Sequence, residues 1–198
     1  MGKLTHRGFL KTPNPSTDGT LNLALALAIA DTGKKPVATL DNVRFWFDIA
    51  ANVSPELIAE AKEVASLAKT AGLLGTVDET LNDLIPSLGM PPEVAKHLFC
   101  ERVSAELEKI GATSALTVQG SLPKGGEIVA NVRVTGMGAP LAGRVWLDFY
   151  RMGLENGSIG YAICGWCKMP YRRLHGRALF CCVSHRTTAN KQSRDADN

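Results

Sequence analysis

The spacing of polar and apolar residues follows a helical period in the first half of the chain and gives way to short strand-like runs after Gly111. In 41–53 the polar residues recur every three or four positions, which predicts a largely buried helix with Trp46 as a core anchor. A serine followed by proline opens 54–71, where an N-cap and a proline at the first helical position predict the next helix. The same periodicity predicts a helix over 91–111.

Two shorter segments complete the predicted helical half. The apolar run at 21–30, LNLALALAIA, alternates like a strand, but leucine and alanine are strong helix formers and we predict a helix. The string Thr-Val-Asp-Glu at 76–79 matches a capping box and should open a short helix that Pro86 ends. Four or five helices are therefore expected before residue 111. Cys100 falls on the apolar side of the last one and should be an inert core cysteine.

Beyond that point, four runs rich in β-forming residues are separated by glycine-rich turns. They cover 116–118, 127–134, 144–152 and 159–163. Short runs at this spacing predict an antiparallel meander of about four strands. Because helices precede strands, the expected fold class is α+β, with an N-terminal helical bundle packed on a C-terminal antiparallel sheet.

The chain divides into four regions along this pattern. We expect a flexible basic arm at 1–20, a helical region at 21–111, a sheet with the cysteine-rich basic segment at 112–186, and a disordered tail at 187–198. A length of 198 residues suits one compact domain overall. Hydrophobic residues make up 45% and charged residues 21%, which excludes wholesale disorder and a membrane class.

Charge is distributed unevenly along the chain. The net charge of +3 combines −6 over 41–110 with +6 over 111–198, and no acidic residue lies between Asn156 and Arg194. Such a segment favours a polyanionic partner, or contact between copies of the same chain. The alternative is a solvated basic face that has no partner.

The cysteine count favours a reducing compartment. Five cysteines is an odd number, and the adjacent pair Cys181 and Cys182 suits a disulfide framework poorly. The run at 21–30 is shorter than the ~20 residues that span a bilayer. It also lacks the short basic flank of a signal peptide. We therefore expect an intracellular, cytoplasmic protein, with neither secretion nor membrane insertion.

A group of cysteine and histidine residues has the spacing of a metal site. The pattern is Cys164-x2-Cys167-x13-Cys181-x3-His185, with Cys182 and His175 as spare ligands. Thiolate and imidazole suit tetrahedral Zn²⁺, and two ligands on one turn followed by two more after a loop resemble a zinc ribbon or knuckle. The prediction is either no cofactor, with the cysteines as buried structural thiols, or one structural zinc.

The same cysteines also allow thiol chemistry. The string Cys-Gly-Trp-Cys-Lys-Met-Pro at 164–170 resembles the thioredoxin active-site motif, which implies an activated thiolate at Cys164. The string departs from that motif because no proline stands between the cysteines, and only 31 residues follow Cys167. A nucleophilic pair of Cys164 or Cys167 with His175 and Asp148 has no support from spacing.

The basic segment is the predicted nucleic-acid site. Guanidinium groups bind phosphate in bidentate fashion and tyrosine can stack on a base. The candidate binding residues are Lys168, Tyr171, Arg172, Arg173, His175, Arg177 and Arg186.

These residues lead to the first of three functional hypotheses. It is a non-enzymatic, self-associating protein that binds nucleic acid, RNA rather than DNA, as a viral or phage coat protein or nucleoprotein does. The second is a zinc-supported protein-interaction or regulatory module, and the third is a thiol redox protein.

Overall fold

A computed structural model of the chain describes residues 21–30, 39–50, 52–111, 113–119, 127–133, 141–174 and 178–196. Helices and strands are mixed along these segments. The helices are α1 (Leu23–Ile29), α2 (Leu40–Trp46), α3 (Pro55–Thr70), α4 (Glu79–Leu84), α5 (Pro92–Lys109), α6 (Leu141–Glu155) and α7 (Val183–Ala196). The strands are β1 (Thr113–Gln119), β2 (Glu127–Arg133), β3 (Gly160–Ile163) and β4 (Pro170–Arg173). The predicted basic arm at 1–20 lies outside the described residues.

Helix α1 forms the centre of the core. All seven of its residues are buried, because a helix that is apolar on every side is stable only when neighbours surround it. It packs against α3 and α6. Asn22 caps its start by accepting a hydrogen bond from the Leu25 backbone N–H, and the Asp148 carboxylate on α6 accepts another from Leu23 at 2.6 Å. The predicted helix at 21–30 is thus confirmed.

The long helices α3 and α5 occupy the predicted segments. The Ser54 hydroxyl accepts a hydrogen bond from the Leu57 N–H at the start of α3, as its N-cap position predicts. Gly111 follows α5 with a φ of +75°, a left-handed conformation that terminates helices. Cys100 is buried, and desolvation raises its pKa to about 11, so the thiol is inert.

Helix α6 corrects the prediction of a strand at 144–152. Val145, Leu147 and Phe149 alternate as a strand face would, but the buried positions repeat with a helical period and include Trp146 and Tyr150. In a strand, these last two side chains would lie on the face opposite to Val145, Leu147 and Phe149. Because the 15-residue helix buries Trp146 and Tyr150 against the core, neither ring is available to stack on a base.

The predicted four-stranded meander is therefore wrong. The described strands form two separate antiparallel pairs, β1 with β2 and β3 with β4. What holds of the α+β prediction is a mixed helical and β chain whose N-terminal part is helical.

Two further predictions need correction at the edges of the fold. Helix α2 ends at Trp46, short of the predicted 53, and Phe45 is exposed, so this helix is not largely buried. The segment 187–198, predicted to be a disordered tail, contains most of α7. Its polar composition indicated disorder, whereas the structure attaches this helix through a single buried residue, His185.

The β3–β4 hairpin is tied to the helical part at several points. The Asn22 N–H donates to the Pro170 carbonyl, the Tyr161 N–H donates to the Thr76 carbonyl, and the Asp78 carboxylate accepts from the Ile163 N–H. These bonds hold the end of β3 on the body of the molecule. None of the helices in the described part of the chain has the length and apolar character needed to cross a membrane.

Candidate metal centre

The first two cysteines lie on a tight turn between β3 and β4. Cys164 follows the last residue of β3, its N–H donates to the Met169 carbonyl at 2.9 Å, and its carbonyl accepts from the Lys168 N–H at 3.0 Å. Lys168 adopts a φ of +61°, which is uncommon for a residue with a side chain. The turn folds Cys167 back beside Cys164.

The last two residues arrive on the return segment after β4. The Gly165 N–H donates to the Leu179 carbonyl at 3.0 Å, which ties the return segment to the turn. Two residues later, the Cys181 N–H points at Cys164 Sγ at 3.5 Å. Helix α7 begins immediately afterwards and places His185 on its inner side.

Four potential ligands meet at this point. The Sγ atoms of Cys164, Cys167 and Cys181 and a ring nitrogen of His185 all lie within 4.8 Å of one another. Cys167 Sγ is 3.9 Å from Cys181 Sγ, and His185 Nδ1 is 3.7 Å from Cys164 Sγ and 3.0 Å from Cys181 Sγ. The predicted ligand set is therefore brought together, and it could hold a metal ion.

These distances fit a tetrahedral ion. With Zn–S near 2.3 Å and Zn–N near 2.0 Å, tetrahedral ligands are separated by about 3.5–3.8 Å. The Cys167–Cys181 and Cys164–His185 separations of 3.9 and 3.7 Å lie close to this range, and the Cys181–His185 separation of 3.0 Å is shorter. Soft thiolates with one imidazole are also the donor set that zinc prefers, whereas calcium and magnesium prefer oxygen.

Charge within the cluster is shared unevenly between the thiols. Hydrogen bonds from Cys167 and Cys181 hold the pKa of Cys164 well below its usual range, although burial opposes this. The hydrogen bonds that Cys167 and Cys181 make to Cys164 raise the pKa of each of these two thiols. The protein alone thus favours one thiolate with two neutral thiols around it. A divalent cation would supply the charge that lets all three ionise.

The centre is closed to solvent. All four ligand residues are buried, and Cys164 and His185 have no exposed surface. The Trp46 indole packs edge-to-face on the His185 ring with centroids 5.0 Å apart. His185 Nε2 has no hydrogen-bond partner among the described residues, so packing against Trp46 fixes the imidazole orientation. No pattern in the sequence indicated this contact.

The structure describes one of the two spare ligands. Cys182 is half-buried and outside it, and His175 is outside the described residues. The thioredoxin resemblance fails at a physical level, because Cys167 is followed by strand β4 rather than by a helix whose N-terminus would activate a thiolate.

Three of the predicted nucleic-acid residues are engaged inside the molecule. Tyr171 is buried and its hydroxyl donates to the Ala178 carbonyl at 2.6 Å. Arg172 pairs with Glu155, and Arg173 pairs with Asp78 at 3.8 Å. A phosphate would have to displace these carboxylates to bind here, so the structure lends this part of the prediction no support.

The remaining candidates are divided. The half-buried Lys168 donates from Nζ to the Gly165 carbonyl at 2.7 Å, and Arg186 is exposed on α7. His175 and Arg177 lie outside the described residues. The exposed Lys191 and Arg194, also on α7, were not among the predicted site residues because that segment was expected to be disordered.

No protein-family model, no curated protein and no solved structure matches the chain.

Proposed function

We propose that Cys164, Cys167, Cys181 and His185 bind one structural Zn²⁺ ion, and that the chain is a zinc-supported interaction module. The observation that carries this proposal is the convergence of four buried zinc-type ligand atoms within 4.8 Å. A bound divalent cation would let the three buried thiols ionise and coordinate it, and its binding free energy would add to the stability of the fold.

The closed geometry favours a structural role over a catalytic one. Catalytic zinc keeps a position for water or substrate beside three protein ligands, whereas structural zinc has four protein ligands. Here four ligands are available and all are buried. The protein is accordingly proposed to be non-enzymatic.

The ion would join three segments, of which α7 is the most weakly connected to the rest. The turn at 164–168 carries two ligands, the return segment carries Cys181, and α7 carries His185. Helix α7 makes few contacts with any other described helix or strand, and His185 is its one buried residue among those described. Zinc binding would therefore dock α7 on the rest of the molecule. The docked helix would present its exposed side to a partner.

Metal analysis of purified protein tests the proposal. We expect about one zinc per chain. Cys167→Ser and Cys181→Ser should each lose most of it, because each removes a ligand. Cys182→Ser is the matched control, since this half-buried neighbour of Cys181 lies outside the cluster and should leave the zinc content unchanged.

Two results would contradict the proposal. One is metal-free protein whose stability and helix content do not respond to added zinc. The other is equal zinc loss in Cys182→Ser and Cys181→Ser, which would indicate a different ligand set.

Nucleic-acid binding through residues 171–177 stays a prediction, as do self-association, a coat-protein role and the thiol redox alternative. The described contacts of Tyr171, Arg172 and Arg173 do not favour the first of these.

A further inference from the structure

Helix α7 is exposed along nearly its whole length. From Val183 to Asp195 the structure leaves every side chain half-buried or exposed, with the single exception of His185. A polar helix with one buried residue is not part of a core, so its other side chains contact solvent or a partner.

The cations of α7 lie on the side opposite to the zinc ligand. Arg186, Lys191 and Arg194 are all exposed. At about 100° per residue, these three fall within an arc of about 140°, and His185 lies about 180° from the centre of that arc. The residue that would bind zinc and the basic face thus point in opposite directions.

Neutral hydrogen-bonding groups share the basic face. Thr187 and Asn190 lie within the same arc and are exposed, whereas the one acidic residue of the helix, Asp195, lies outside it. Arg186 and Lys191 have no ion-pair partner among the described residues, unlike Arg172 and Arg173 on β4. Positive charge on this side of the molecule is therefore presented by α7.

We infer that α7, once docked by zinc, binds the phosphate backbone of nucleic acid through Arg186, Lys191 and Arg194. This inference rests on the proposed zinc function, because no other residue of α7 from Val183 to Asp195 is buried. Basic and neutral polar side chains supply most protein contacts to phosphate, and such contacts position a protein without reading sequence.

An acidic protein surface, including the acidic helical part of a second copy, fits this face less well. Protein interfaces have an apolar or aromatic core, and the basic face offers Val183 as its one large apolar side chain. Interfaces with nucleic acid are more polar and more positively charged, which matches the composition of the face.

Fluorescence anisotropy with the zinc-loaded full chain tests the inference. The probes are a labelled DNA duplex of about 20 base pairs and a single-stranded RNA of about the same length, titrated between about 50 and 200 mM salt. Arg186→Gln combined with Lys191→Gln should lower the affinity by about tenfold or more. The slope of log K against log salt should fall by about 2, since each lost phosphate contact removes roughly one released counterion.

Lys62→Gln combined with Arg151→Gln is the control. It removes the same charge from exposed cations on α3 and α6 and should leave the slope unchanged. Equal binding of the DNA duplex and the RNA supports recognition of the phosphate backbone that both share. A preference for one probe identifies the type of nucleic acid that the chain binds.

Three results would overturn the inference. Zinc-loaded protein that binds neither probe would remove it and leave the zinc proposal standing. Equal loss in the α7 variant and the control would show a general charge effect. A dimer that dissociates in the α7 variant, without any binding of nucleic acid, would identify a second copy of the chain as the partner.

Discussion

Removal of zinc should unfold α7 while the helical core remains folded. The perturbation is stepwise lowering of free zinc with a metal buffer at constant pH. Eight of the 14 residues of α7 belong to the weak helix formers, namely valine, histidine, asparagine, aspartate, two serines and two threonines. Relative to alanine at these positions, they disfavour the isolated helix by about 4 kcal/mol at roughly 0.5 kcal/mol each. Isolated helices of about this length are marginal in water even with good sequences.

The metal supplies the compensating free energy. Structural zinc binds with about 10 kcal/mol or more at neutral pH, and ligand at 100 times its Kd stabilises the folded state by about 2.7 kcal/mol. For a chain of this size, that corresponds to a rise in Tm of about 5–10 °C. The central helix α1 is held by α3 and α6, neither of which carries a ligand, so it should stay helical in the zinc-free protein.

Circular dichroism and tryptophan fluorescence measure the two responses together. Chelation should remove helical signal equivalent to the 14 residues of α7, and the emission of Trp46 should change because its packing partner is His185. Trp46→Phe identifies the contribution of this indole to the emission. If chelation left the helical signal and Tm unchanged in protein shown to carry zinc, the reasoning that zinc anchors α7 would be refuted.

Three further variants test the fold around the site, each by urea denaturation. Arg172→Ala leaves the nearly buried Glu155 without its cation and should lower the free energy of unfolding by roughly 2–4 kcal/mol. Asp41→Asn breaks an exposed pair with Arg44 and should be near neutral, so equal effects of the two variants would contradict the burial argument. Gly75→Ala places a Cβ 2.4 Å from the Ile159 carbonyl oxygen and should cost more than about 2 kcal/mol, whereas Gly72→Ala, also at positive φ but in open space, should cost about 1 kcal/mol; the reverse order would be inconsistent with the structure. Burial raises the pKa of Asp148 to about 6 from 3.8, so its protonated form is favoured in the folded state. The stability that this group contributes is fully present below about pH 4 and is lost as the pH rises through 6, by about 3 kcal/mol relative to Asp148→Asn. Parallel pH profiles of the two proteins would argue against this shift.

Local signals in the sequence predicted the long helices and the ligand set. The N-cap serine of α3 and the glycine after α5 act within one turn, so their effect does not depend on distant residues. The spacing of Cys164 with Cys167, and of Cys181 with His185, is local in the same way, whereas the β3–β4 hairpin and the return segment bring the two pairs together.

Features that depend on distant partners could not be predicted. Helix α6 fits both a strand alternation and a helical period, and only its packing against α1 and α5 decides between them. Glu155 and Asp78 neutralise arginines that the sequence presented as a free basic segment. The contact of Trp46 with His185 joins two distant segments of the chain, so no periodic pattern in the sequence indicates it.

Zinc K-edge X-ray absorption on the purified chain tests the central claim most directly. The account predicts bound zinc with three sulfur ligands near 2.3 Å and one nitrogen ligand near 2.0 Å. The sulfur signal should fall by one ligand in Cys181→Ser protein that retains metal. Absence of bound zinc, or zinc surrounded by oxygen and nitrogen ligands alone, would contradict the assignment of these four residues as a structural zinc site.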